Sequence, residues 1–222
     1  MIHRRKQATA DRKRAVIFDF DGTIADSFEY VLGFVQSDAG NHQVFNTAEK
    51  KVLRQMSMKR LILHLKVPIW KYPTMYFRGR RVMRQHMEDV QPFAGMVDVI
   101  RQLHADGCML FISSSNSTHN IRHLLRRYDL QDCFTALRGS AGYTGKSSPI
   151  RQLLWRYRLP KQTTWYVGDE TSDVVAATAA GIRCLAVSWG FADPDKLQEM
   201  GPAAFAQHPS DITAIVEASW KK

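Results

Sequence analysis

Apolar residues in this chain recur in two rhythms. Four consecutive positions, Ala15-Val16-Ile17-Phe18, run into Asp19, and Gly22-Thr23 break the run. A strand buried on both faces and closed by a turn reads this way. The rhythm then turns helical over residues 27–91. Phe28, Val31, Leu32 and Val35 fall at helical spacing, as do Val52 and Met56 and then Leu61, Ile62 and Leu65; Thr47 with Glu49-Lys50 makes a helix start. Pro68 and Pro73 interrupt the run before a basic-faced helix over 75–87, which closes ahead of Gln91-Pro92. From Gly95 onward the two rhythms alternate. Val97, Ile100 and Leu103 give a helix ended by Gly107, and 108–112 a second buried strand; Ile121, Leu124, Leu125 and Tyr128 form the next helical face. Strands over 134–137, 164–167 and 183–187 follow, with helices at Ile150 to Tyr157, 174–180 and 212–220.

That alternation predicts an α/β fold: a doubly wound, mainly parallel, Rossmann-like sheet of about five strands flanked by helices, with ligands at the carboxyl ends of the strands. Residues 15–26 and 92–222 would form the core, 27–91 an all-helical insertion, and 1–14 a basic tail.

Composition narrows the class without fixing the chemistry. With 45% hydrophobic and 23% charged residues over 222 positions, the chain reads as an ordinary globular protein. No apolar stretch approaches the roughly 18 to 20 residues that span a bilayer, so no membrane association is expected. The basic N-terminal segment has no apolar core behind it, which disfavours a secretory signal and points to the cytoplasm. Cys108, Cys133 and Cys184 are scattered and odd in number, with no zinc spacing; reduced thiols are expected. A formal charge of +10 favours anionic partners.

The candidate chemistry sits where strands end. If the first strand continues, Asp19 and Asp21 share a face and project together. Adjacent carboxylates repel unless a cation or proton offsets them, an arrangement that suits Mg²⁺. An ordinary Asp-Gly turn would leave the same trace. After the second strand, Ser113-Ser114-Ser115-Asn116 leads into a helix start, a ready anion site as well as an ordinary N-cap. Lys146 precedes another helix. Asp169 and Asp173 follow the fourth strand four residues apart, able to add carboxylate to a metal site or simply to cap a helix.

With DFDGT at 19–23, SSN at 114–116, GK at 145–146 and GDETSD at 168–173 in this order, the chain resembles the haloacid dehalogenase-like hydrolases, specifically phosphatases with a small helical cap. The segments ISSSNS, GDETSDVVAA and VSWGF are most similar to phosphoglycolate phosphatase-like members. The resemblance implies Asp19 as nucleophile forming an aspartyl-phosphate and Asp21 as general acid and base. It implies Mg²⁺ held by Asp19, the Asp21 backbone carbonyl, Asp169 and Asp173. Gly22, Thr23, Ser115 (or Ser114), Asn116 and Lys146 would meet the phosphate. The implied substrate is a small phosphorylated metabolite, phosphoglycolate-like, and the implied assembly a monomer or homodimer. Asp21 disfavours dehalogenation, whereas phosphonate hydrolysis through a cap lysine (Lys50, Lys51, Lys59, Lys66 or Lys71) and phosphomutase chemistry stay open.

The cap would gate the site, hinging near Asp26-Ser27 and Pro92-Phe93. Among its many basic residues Arg54, Lys59 and Arg60 are the preferred substrate contacts, most of the others being a solvated face. Trp70, Tyr72, Tyr76 and Phe77 read as cap packing or a subunit contact. A binding module that uses the basic cap is the rival of another class; nucleic acid is disfavoured, because the catalytic positions of all four motifs are filled.

Overall fold

A computed structural model of the chain describes residues 13–40, 45–54, 56, 58–140 and 146–220. The basic tail up to residue 12 lies outside them. Strand β1 (Ala15–Phe18) leads to a two-residue strand β2 (Ala25–Asp26) and then four helices: α1 (Phe28–Ala39), α2 (Thr47–Arg54), α3 (Met58–His64) and α4 (Tyr72–His86). The chain returns through β3 (Gln91–Pro92), antiparallel to β2. Next come α5 (Met96–Ala105), β4 (Met109–Ser113), α6 (Thr118–Arg127), β5 (Phe134–Arg138), α7 (Ser147–Tyr157), β6 (Thr164–Gly168), α8 (Thr171–Ala180) and β7 (Arg183–Val187). Helix α9 (Pro194–Glu199), strand β8 (Ala204–Ala206) and helix α10 (Pro209–Trp220) complete the order.

The main sheet runs β5-β4-β1-β6-β7-β8 with every pairing parallel. It has six strands where the apolar pattern indicates about five. The additional edge strand, Ala204-Phe205-Ala206, is too short to carry a periodic signal of its own. Successive residues of β1 serve opposite faces, as a doubly covered strand requires. Val16 and Phe18 pack with residues of α5, α6 and α10, whereas Ala15 and Ile17 pack with residues of α7, α8 and α9. All four residues of β1 and all five of β6 are buried, so the central strands end inside protein, close to β4. Their carboxyl ends converge on one sheltered edge.

The helical insert between β2 and β3 has its own apolar cluster, centred on Phe28, Leu32, Val35, Leu53, Leu61 and Leu65. It also takes in Phe191 from the loop after β7, whose ring lies 5.9 Å from that of Phe28. Asp38, buried on α1, is held from α4 by Arg78 at 2.5 Å and accepts Lys71 Nζ on its carbonyl at 3.0 Å. Among the described residues no helix is long and apolar enough to cross a membrane. The cysteines described are free.

Candidate active site

Strand geometry stops at Phe18, so the alternation that would set Asp19 and Asp21 side by side does not reach Asp21. The two carboxylates instead find different partners. Asp19 is tied in by its own N–H, which donates to the Val167 carbonyl at 2.8 Å, and its Oδ1 accepts the Phe20 N–H at 2.7 Å. Its Oδ2 accepts Lys146 Nζ at 2.5 Å. The same ammonium donates to Asp173 Oδ1 at 2.6 Å and lies 3.8 Å from Glu170 Oε2. Lys146 therefore bridges the ends of β1 and α8 across the sheet edge. Burial disfavours its charge, but Asp173 and Asp19 outweigh that and hold it protonated, well above the ordinary lysine value.

Asp169, fully buried, accepts Thr23 Oγ1 at 2.7 Å and the Phe191 N–H at 2.8 Å. Two glycines make room for it. Gly22 turns at a φ of 78°, in the left-handed region, and a Cβ there would stand 2.2 Å from Asp169 Oδ2; a Cβ on Gly190 would stand 2.2 Å from Asp169 Cβ. Asp173 also receives the Tyr166 hydroxyl at 3.2 Å and the Glu170 N–H at 3.0 Å, the latter as half of a capping box that starts α8. Burial, followed by the charges of Asp173, Asp19 and Glu170, pushes the Asp169 carboxyl well above the usual range. Burial raises Asp173 as well, against the pull of Lys146.

Asp19, Asp169 and Asp173 each offer an oxygen within 4.8 Å of the others, and all three are buried. One ammonium faces this cluster and Glu170, which leaves negative charge in excess. Hard oxygen donors in that state suit a Mg²⁺-sized cation, and each carboxylate retains lone pairs beyond the hydrogen bonds it accepts. The residues therefore fit the metal that the acidic motifs imply.

Asp21 has hydrogen-bond partners of its own. Ser27 Oγ donates to its Oδ1 at 2.8 Å, and Asn116 Nδ2 reaches both of its oxygens at 3.1 and 3.0 Å. Desolvation by the surrounding protein, then the charge of Asp19, pushes its pKa up to about 6, while Ser27 and Asn116 pull the other way. Asn116 is itself held by Asn120, whose Nδ2 donates to Asn116 Oδ1 at 2.8 Å and to the carbonyl of Arg80 on α4 at 3.1 Å. Ser114 is fully buried and accepts the Asn116 N–H at 3.2 Å, whereas Ser115 is only half-buried. Of the two, Ser115 has the exposure to meet a ligand.

Gly22 and Thr23, expected to meet the phosphate, are turned inward: the Gly22 N–H donates to the Ala25 carbonyl at 2.9 Å and the Thr23 hydroxyl is spent on Asp169. Gly145 and the side chains of Arg54 and Lys59 lie outside the described residues. Arg60 is exposed and lines a groove of about 690 Å³ together with Lys146, Ser172 and Lys196. Lys50 is paired with Glu29 at 2.7 Å, and Lys71 is engaged by Asp38. The motifs left Ser27, Tyr166 and Trp189 without roles, although the Trp189 indole donates to the Thr23 carbonyl at 3.1 Å.

A parallel sheet that gathers an acidic, metal-fitting centre and a bridging lysine at its carboxyl edge is a doubly wound α/β protein with a charged site where that architecture places its ligands. The family model of haloacid dehalogenase-like hydrolases matches residues 16–187, and the chain belongs to that family. A phosphoglycolate phosphatase from Synechococcus elongatus is 31% identical over 205 residues, covering 91% of this chain and 97% of that protein. A 5'-nucleotidase from Pseudomonas aeruginosa is 22% identical over 212 residues, covering 91% and 95%. The solved structure of a haloacid dehalogenase-like family hydrolase from Streptococcus pneumoniae aligns with a TM-score of 0.75 at 20% identity, over 92% of this chain and 98% of that one. That last likeness is one of fold.

Proposed function

We propose that the chain is a Mg²⁺-dependent phosphatase that hydrolyses a small phosphomonoester, phosphoglycolate-like in size, through an aspartyl-phosphate on Asp19. The observation that carries this reading is the division of labour between two nearby aspartates. Asp19 accepts Lys146 Nζ at 2.5 Å, while Asp21 is turned onto Ser27 and Asn116 with its pKa raised to about 6. One is placed to attack and the other to carry a proton.

In the first step an Asp19 carboxylate oxygen bonds to phosphorus as the ester P–O bond breaks, and Asp21 gives its proton to the departing oxygen. In the second, water attacks the phosphorus, Asp21 takes the water's proton, and the acyl-phosphate P–O bond breaks to free Asp19 and inorganic phosphate. Lys146 offsets charge on Asp19 and on the phosphoryl oxygens, Ser115 and the turn at Asn116 hold those oxygens, and Gly22 and Thr23 act by fixing Asp169. Asp19, Asp169 and the Asp21 carbonyl, with Asp173 behind, would hold Mg²⁺, which would supply the positive charge that lets a dianionic phosphate approach a carboxylate. The helical insert would close over this edge as a cap, hinging at β2 and β3, in a cytoplasmic enzyme working as a monomer or homodimer.

Phosphate release from phosphoglycolate and a panel of small phosphomonoesters, with Mg²⁺ and with EDTA, tests the reading on the intact chain and on Asp19→Asn. Turnover should require the metal and vanish with the substitution. Turnover indifferent to Asp19→Asn sinks the proposal.

A further inference from the structure

Away from the acidic centre, α4 and the start of α6 flank a second, open groove with the opposite charge. It measures about 400 Å³ and is lined by Phe77, Arg80, Arg81, Arg84, Ser117 and His119. The α4 residues are spaced at three, four and seven, so one face of the helix presents three guanidiniums and an aromatic ring. No carboxylate among the described residues lines the pocket. Among the described residues neither Arg81 nor Arg84 has an acidic partner, although Arg78 on the same helix is paired with Asp38. Opposite them stands the first turn of α6, a ten-residue helix capped by Ser117 Oγ, which accepts the Asn120 N–H at 3.1 Å; its dipole adds further positive potential. Like charges one turn apart are unfavourable in a bare helix, and here a helix terminus of the same sign faces them. An anion in the pocket would offset all of these terms together.

The walls are fastened to each other. Arg80 Nη2 donates to Ser140 Oγ at 2.5 Å, and Asn120 Nδ2 donates to the Arg80 carbonyl. Asn120 also holds Asn116, which holds Asp21, so the pocket joins insert to core three hydrogen bonds from the candidate acid. Phe77, 60% exposed, gives its rim an apolar wall.

We infer that this seam between α4 and α6 binds a multiply charged phosphate or carboxylate anion through Arg81, Arg84 and the start of α6. The anion is either the far end of the substrate or a separate effector. The site stands without the phosphatase reading; only the choice between these two sources rests on it.

Binding of inorganic pyrophosphate, measured by calorimetry in EDTA on Asp19→Asn protein, tests the site without turnover. Adding Arg81→Gln and Arg84→Gln should weaken binding at least tenfold, and Arg81→Lys with Arg84→Lys should restore it to within about threefold, which separates charge from a folding defect. Unchanged affinity, or no measurable binding before the arginines are altered, overturns the inference. The source is then read from Arg81→Gln/Arg84→Gln in the otherwise unaltered chain. A higher KM for fructose 1,6-bisphosphate, with its kcat and the turnover of p-nitrophenyl phosphate held, assigns the pocket to the substrate's far end. Unchanged kinetics for both, alongside lost pyrophosphate binding, assign it to an effector. A fall in kcat for both compounds overturns the inference, since the arginines would then serve the reaction or the fold.

Discussion

Charge is plentiful both at the carboxyl edge of the sheet and across the helical insert, but the two regions hold it in opposite ways. Asp19, Asp169 and Asp173 are buried, each accepts at least two hydrogen bonds, and they share one lysine or one neighbouring turn. The insert's described cations are mostly exposed, and an ion pair such as Lys50 with Glu29 joins two side chains in contact with water, buried Asp38 being the exception. A buried, mutually dependent cluster fixes geometry and is intolerant of change; an exposed set of single pairs contributes little stability and is free to vary. The edge therefore suits a phosphoryl group, the same in every substrate, and the insert suits the part that differs.

The heaviest test of that contrast is Lys146→Met. Removing the one ammonium from between Asp19 and Asp173 leaves buried carboxylates unpaired, at a cost of about 3–5 kcal/mol. Turnover should fall by about 10³-fold or more. Denaturant unfolding at neutral pH with and without Mg²⁺ checks the first part, and the stability loss should shrink when the cation is supplied. A loss below about 1 kcal/mol would place the edge in the same category as a surface pair. Gly190→Ala comes next. Its Cβ would sit 2.2 Å from Asp169 Cβ, so the carboxylate must move. About 1–3 kcal/mol of stability should go, with weaker Mg²⁺ binding by calorimetry.

Much of the edge was legible because Asp19 and Asp169 each follow an apolar run and Asp173 stands four residues beyond Asp169. The seventh strand, Arg183–Val187, coincides with its sequence pattern to the residue, and Asp19, Lys146, Asp169 and Asp173 meet although the motifs stand far apart in the chain. What the pattern could not carry was the wiring. Thr23 reaches Asp169 across 146 positions and Asn116 reaches Asp21 across 95, and nothing local distinguishes a hydroxyl with such a partner from one in solvent. Tyr166 reads as a buried strand residue, yet its hydroxyl touches Asp173. The partners of Asp21 were not legible for a related reason: alternation holds only while the strand lasts, and β1 stops at Phe18. In the insert, helical spacing located the helices but not which cations face the core, because exposure there depends on how α4 meets α6.

Ser27 stands where the two regions join and should respond as part of the edge. It is buried, and its hydroxyl bond favours the ionised form of Asp21. In the proposed mechanism a protonated Asp21 serves the leaving oxygen, so kcat/KM should fall as pH rises through its pKa. Removing the hydroxyl by Ser27→Ala raises that pKa further, and the alkaline limb of the pH profile should move to higher pH. A limb that stays put, or moves to lower pH, would detach Ser27 from the acid. A smaller effect is expected of Asp38→Asn within the insert. Arg78 is 66% exposed and regains water when the pair is broken, so the loss should be about 1 kcal/mol in thermal unfolding, with turnover of p-nitrophenyl phosphate within about twofold.

The smallest effect has the opposite sign. Gly33 lies inside α1 on an exposed face, and a Cβ built there meets nothing within 4 Å. Glycine within a helix costs about 0.5–1 kcal/mol relative to alanine, because the unfolded chain loses more freedom when it folds. Gly33→Ala should therefore stabilise the protein by about that amount, read as a raised denaturation midpoint with an unchanged denaturant slope. The same substitution at Gly190 is expected to destabilise, because there the new methyl group meets Asp169. If both changes destabilised, α1 would be as tightly constrained as the sheet edge, and the insert could not be the part of the molecule left free to change with the substrate.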